Sequence, residues 1–188
     1  MSPSPDQPQK PEKSRREGIA SPPPSFDAQI LALLPQLRRY SRSLTRSDAE
    51  SEDLLQDCVE KALVNRAQWR GANIRAWAYR IMTNLHLNAR RAVARRPSVG
   101  IEAAEGVASN TLPADPLERN RLVRALEDLP NDARAVLMLV AVEGHSYQEV
   151  ADIMDIPLGT VMSRLSRARQ MLRQKLQEQN VIQLRSPR

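Results

Sequence analysis

The sequence predicts an all-α protein made of two small helical domains, and three observations carry that prediction. Glycine is scarce, with six in 188 residues, and no alternating Val/Ile/Thr segment reads as a strand. Apolar residues recur instead at three- and four-residue spacing from Phe26 to Leu172. Between the two helical blocks lies PSVGIEAAEGVASNTLPAD, residues 97–115, which is small and polar and has too little bulk to pack. The expected organisation is a disordered extension over 1–25, a helical domain over 26–96, a flexible linker over 97–115, a second helical domain over 116–179 and a tail over 180–188.

The elements follow in order. Residues 1–25 open as MSPSPDQPQKPEKSRREG and include Pro22-Pro23-Pro24, with little that can be buried. From Phe26 one face holds Ile30, Leu33, Leu34, Leu37, Tyr40 and Leu44, and Pro35 either kinks this helix or opens a second one. After a break near Thr45, Ser47 and Glu50 have the spacing of a capping box ahead of the stripe Leu54, Leu55, Cys58, Val59, Ala62 and Leu63. Asn73 suits the N-cap of a third helix with Ile74, Trp77, Ala78, Ile81, Met82, Leu85 and Ala89 on its apolar face, ending in Arg90, Arg91, Arg95 and Arg96 before Pro97.

In the second block Asp115-Pro116 reads as N-cap and first helical residue, and Leu117, Leu122, Val123, Leu126 and Leu129 form the stripe up to Pro130. Asn131 or Asp132 starts the next helix, through Val136, Leu137, Leu139 and Val140, and Gly144 suits a left-handed turn at its end. Ser146 and Glu149 form a second capping box, Val150, Ala151, Ile153 and Met154 the apolar face behind it, and Asp155-Ile156-Pro157 the interruption. Val161, Leu165, Ala168 and Leu172 then line a final helix that exposes Met162, Ser163, Arg164, Ser166, Arg167 and Arg169. The result is a helix-turn-helix whose second helix is basic, with no Asp or Glu between Leu158 and Gln177. A face of that kind suits the major groove, where Arg and Ser meet base edges and phosphates. Past Gln179 fraying is expected, although Val181, Ile182 and Leu184 offer apolar surface for docking.

Composition narrows the function. A formal net charge of +6 and a pI near 10.1 call for a polyanionic partner. No apolar run approaches the ~20 residues of a spanning helix, so nucleic acid is favoured over a membrane. The N-terminus has no signal-peptide pattern, which predicts a cytoplasmic protein, nucleoid-associated when it acts there. Cys58 is the single cysteine; it has no disulfide partner, forms no zinc-ligand spacing with His86 or His145, and reads as a small buried hydrophobe. No nucleophile with its base, Walker loop or metal cage is present, so neither catalytic residues nor a cofactor or metal are expected.

Charge is also divided within the first block. Asp48, Glu50, Glu52, Asp53, Asp57 and Glu60 crowd the second helix, whereas Arg80, Arg90, Arg91, Arg95 and Arg96 mark the third. An acidic face gains nothing on DNA and is either simply solvated or meets a basic protein surface. Trp77 and Tyr79, two residues apart, point in different directions, and Trp77 belongs to the apolar stripe. That leaves Tyr79 as the freer ring, placed beside arginines where unstacked bases can be held. Asn84 can hydrogen-bond a base edge.

Three blocks in order, SDAESEDLLQDCVEKAL, WRGANIRAWAYRIMTNLHLNARR and LEDLPNDARAVLMLVAVEGHSYQEVADIMDIPLGTVMSRLSRARQML, resemble the bacterial extracytoplasmic-function (ECF) sigma factors of the minimal two-domain kind. The resemblance covers Phe26 to about Leu176. It implies an initiation factor, not an enzyme, with Asp53, Gln56 and Asp57 on the clamp helices of core RNA polymerase. It implies −10 element contacts and base capture from Arg70, Asn73, Trp77, Tyr79, Arg80, Asn84, Arg90 and Arg91. At the −35 element it implies Met162, Ser163, Ser166 and Arg167 at or near the bases, with Tyr147, Thr160 and Arg164 nearer the phosphates. An anti-sigma factor and a stress response are further implications. Met162 stands where many relatives carry Arg or Lys, and Asp155 where a glycine is common. Two rival readings are a homodimeric repressor using the helix-turn-helix and a sigma mimic, which in this family carries a receiver domain for which the sequence has no room.

Overall fold

The computed structural model describes residues 24–71, 73–95 and 116–184. The expectations for residues 1–23, for the linker over 97–115 and for docking of Val181, Ile182 and Leu184 lie outside the residues and side chains described. Among the described residues seven α-helices run α1 (Phe26–Leu44), α2 (Asp48–Val64), α3 (Ile74–Arg95), α4 (Pro116–Glu127), α5 (Asn131–Ala141), α6 (Tyr147–Met154) and α7 (Leu158–Leu184), with a 3-10 turn at Arg66–Gln68. Among the described residues there is no strand.

The caps explain most of the boundaries. Ser25 Oγ accepts the Ala28 N–H at 3.2 Å, and α1 then runs through Pro35 as one helix. Thr45 is extended and donates both its N–H and its hydroxyl to the Ser41 carbonyl, closing the helix. Ser47 caps α2 by accepting the Glu50 N–H, but the expected capping box is only half made: Glu50 accepts from the Arg46 N–H instead. Asn73 Oδ1 takes the Ala76 N–H at 3.1 Å. The Ser146–Glu149 box is complete, and its hydrogen bonds from Ser146 hold the Glu149 carboxyl below its ordinary pKa. Gly144 sits at φ 71°, as a left-handed stop requires. Asp155 ends α6 at φ 55° and ψ 51°, the geometry its short polar side chain tolerates. The last helix, α7, extends to Leu184.

The first three helices pack on one another; in the second group α7 contacts α4, α5 and α6, while α5 lies between α7, α6 and the first group. Every residue of α5 from Ala133 to Leu139 is buried, as befits a helix with neighbours on all sides. The expected stripe holds at Leu126 and Leu129 but not at Leu122 and Val123, which are exposed, and Ala125 is buried as well. The two groups of helices are in contact, with α1 and α3 against α5 and α3 against α6, and their buried residues form one continuous apolar cluster. This contact rotates the buried face of α3 to Ala78, Tyr79, Met82, Thr83 and His86.

His86 is buried, and its Nε2 has no hydrogen-bond partner among the described residues. Burial, with the charges of Arg90 and Arg134, pulls its pKa down to about 4. The folded protein thus holds His86 neutral while the unfolded chain takes a proton below about pH 6.5. Stability is therefore full above that pH and is lost as the pH falls toward 4. Between pH 7.5 and pH 5 the loss from this residue is expected to be roughly 2 kcal/mol. Thermal melts across that range check it, and a curve whose acid slope is unchanged in His86→Gln would assign the loss elsewhere.

Candidate functional site

On α2 the buried side chains Leu54, Leu55 and Cys58 face the other helices, and burial pushes the Cys58 thiol up to about 12. The opposite side carries Asp53, Gln56 and Asp57, all exposed and one turn apart. The acids nearer the helix start are engaged internally: Glu52 with Arg38 in a two-pronged pair at 3.0 Å, Asp48 with Arg42, and Glu50 with Arg90 at 3.3 Å. Asp53 and Asp57 form no ion pair with any described residue. The two form a compact negative surface, flanked by Gln56, which donates to Glu60 at 2.9 Å.

On α7 the buried seam is Val161, Leu165 and Ala168, which turns Met162, Ser163, Ser166 and Arg167 outward. Met162 is 53% exposed. Tyr147, Met162, Leu165, Ser166, Arg169, Gln170 and Arg173 line an open hollow of ≈ 510 Å³. Ser163 donates to the Thr160 carbonyl, and Thr160 is half-buried in the first turn of the helix. Arg164 points back across the module to Asp132 on α5 at 3.1 Å, so part of its charge is already matched.

Around α3, Asn84 and Arg91 are exposed, as is Arg70 in the turn before it, and Asn73 serves as the cap. Trp77 is half-buried and meets the edge of Phe26, which also contacts Trp69, with ring centroids 5.8 and 5.4 Å apart. Arg80 pairs with Asp155 at 3.3 Å.

Residues 119–172 match the family model for sigma-70 region 4, and residues 30–83 match that for the sigma2 domain of PhyR. The chain is 36% identical over 154 residues to the ECF RNA polymerase sigma factor EcfG of Rhodopseudomonas palustris, covering 79% of this chain and 83% of that protein. It belongs to the ECF sigma factors. The ECF sigma-E factor of Haemophilus influenzae is 34% identical over 151 residues, covering 73% of this chain and 79% of that protein. Among solved structures, the sigma factor RpoE of Bartonella quintana, in complex with the anti-sigma factor NepR, superposes with a TM-score of 0.69 at 32% identity. That match covers 81% of this chain and 96% of the Bartonella chain.

Within this ECF sigma factor the structure corrects one expectation outright. Tyr79 is the buried ring, not the free one: it packs on Tyr40 at 5.1 Å and on His145 at 4.8 Å, and its hydroxyl donates to Glu143. Trp77 is the more accessible of the two. The cause is the second helical module lying against α3, which a helix period cannot report. Four residues of consequence went unmarked in the sequence: Arg39, Arg75, Arg134 and Glu143. The only sequence signal for Glu143 was a charged residue beside the α5 stop at Gly144.

Proposed function

We propose that this sigma factor docks on core RNA polymerase through Asp53, Gln56 and Asp57 and directs it to promoters by reading both elements. The C-terminal module lays Met162, Ser163, Ser166 and Arg167 in the major groove of the −35 element, with Tyr147, Thr160 and Arg164 nearer the phosphates. The first module opens the −10 element and captures a flipped base near Asn84 and the Arg70–Asn73 turn, with Trp77, Arg80, Arg90 and Arg91 around it. The carrying observation is the pair of opposite surfaces: acids without partners on α2, and an exposed Ser/Arg face on a helix that lacks acids from Leu158 to Gln177. A duplex-binding repressor has no use for the first of these.

Control by an anti-sigma factor, and a role in a stress response, are part of the same reading; the Bartonella relative in complex with NepR supports the first. Run-off transcription with core polymerase on a duplex promoter tests the whole. Activity excludes both the repressor and the sigma mimic, whereas DNA binding with no polymerase dependence favours the repressor. Within the C-terminal module, Arg167→Ala is expected to weaken the −35 site by ~1–3 kcal/mol and to relax sequence preference there. Competition binding against a scrambled −35 sequence reads this, and an equal loss on both sequences would reduce Arg167 to a phosphate contact.

A further inference from the structure

We propose that Met162 reads a thymine methyl group in the −35 element, so that one A·T pair of the promoter is recognised by apolar contact and not by a hydrogen bond. The inference rests on the promoter-binding reading above and gives one of its residues a base feature to recognise. Two of the residues that follow Met162 on α7 already have partners within the protein. Ser163 Oγ donates to the Thr160 carbonyl at 3.0 Å, and Arg164 pairs with Asp132 at 3.1 Å. Met162 is exposed, lies in the second turn of α7, and carries no donor and only a weak thioether acceptor. The N-terminal residues of a recognition helix are the ones that approach base edges. There guanine, adenine and cytosine present donors and acceptors that a thioether does not match, whereas the C5-methyl of thymine is an apolar group that it does.

The surroundings of Met162 fit a groove of DNA. Leu158, four residues earlier on the same side of α7 and exposed, extends the apolar strip to the helix start, and Tyr147 lines the hollow beside Met162 from the first turn of α6. Ser166, Arg169 and Arg173 follow Met162 at i+4, i+7 and i+11 and line the same hollow, so the apolar tip runs into a basic edge. An arginine edge on a helix with no acid from Leu158 to Gln177 complements phosphates. A protein partner is the poorer fit, because two aliphatic side chains one turn apart are little beside the roughly 20–30 residues a side of a stable interface. The unbranched, polarisable Met side chain also adjusts to the position of a single methyl group.

The test uses the full chain reconstituted with core polymerase and a pool of duplexes randomised across the −35 element. The wild type is expected to enrich thymine, on one strand or the other, at a position where Met162→Arg enriches guanine. Replacing that thymine with deoxyuridine removes only the methyl group, and should weaken wild-type binding by about fourfold while leaving Met162→Ala unaffected. The deoxyuridine comparison needs only the wild-type chain, so it decides the matter even if a variant fails to fold. An enriched −35 sequence without an A·T pair, or one on which deoxyuridine serves as well as thymine at every position, overturns the role of Met162 and leaves the promoter reading intact. Enrichment of no sequence overturns both. Weaker assembly of Met162→Ala with polymerase, with site selection unchanged, would give the apolar strip to a protein surface and overturn the thymine contact.

Discussion

Replacing Asp53 and Asp57 together with arginine is expected to abolish binding to core RNA polymerase and leave the fold intact. Both side chains are exposed and neither forms an ion pair with the described residues, so no internal contact is lost. Arginine has the better helix propensity, and both positions lie beyond the first turn of α2, where the helix dipole favours acids. The stability change should stay within about 0.5 kcal/mol for each site, as for other surface substitutions without special contacts. Binding is different. Reversing two charges at a complementary interface replaces attraction with repulsion, and like-charge juxtaposition there costs several kcal/mol. A loss of 4 kcal/mol or more, roughly a thousandfold in Kd, is therefore expected. Co-migration with sigma-free polymerase on gel filtration, beside an unshifted melting curve, checks both halves. Undiminished co-migration would remove the role assigned to this surface.

The helices were legible where a local signal existed. Ser47, Asn73 and Ser146 each act within four residues of themselves, and the turn at Asp155-Ile156-Pro157 needs only its own backbone preferences. The exposed face of α7 followed from the same arithmetic, because Val161, Leu165 and Ala168 fix what must point away. The contact between the modules was not legible for a physical reason. It is carried by single residues far apart in the chain: Arg39 and Glu143 are 104 positions apart, and Arg134 and Ser43 are 91 apart. Neither pair leaves a periodic trace. A helix packed on two sides also loses the clean polar face that periodicity relies on, which is why the buried side of α3 was misjudged at Tyr79.

Tyr79 offers the sharpest separation between a packing role and a DNA role. Tyr79→Ala is expected to cost ~3–5 kcal/mol, the usual range for deleting a buried aromatic ring, and so to lower the melting temperature by roughly 10 °C. Tyr79→Phe keeps the ring against Tyr40 and His145 but leaves the buried Glu143 carboxylate one donor short, at a cost of ~1–3 kcal/mol. Burial, followed by the bond to Glu143, holds the phenol pKa above its ordinary value, so the hydroxyl remains a donor at neutral pH and this penalty does not vary there. Asn84→Ala is the counterpart on the same helix. Its side chain is exposed, so stability should move by less than about 0.5 kcal/mol while promoter opening by the polymerase complex falls. Thermal denaturation and the fluorescence of a 2-aminopurine placed in the −10 element read the two effects independently. If Tyr79→Phe left the melting temperature unchanged and suppressed opening, the ring would belong to the DNA and the closed packing of α3 against the second module would be wrong.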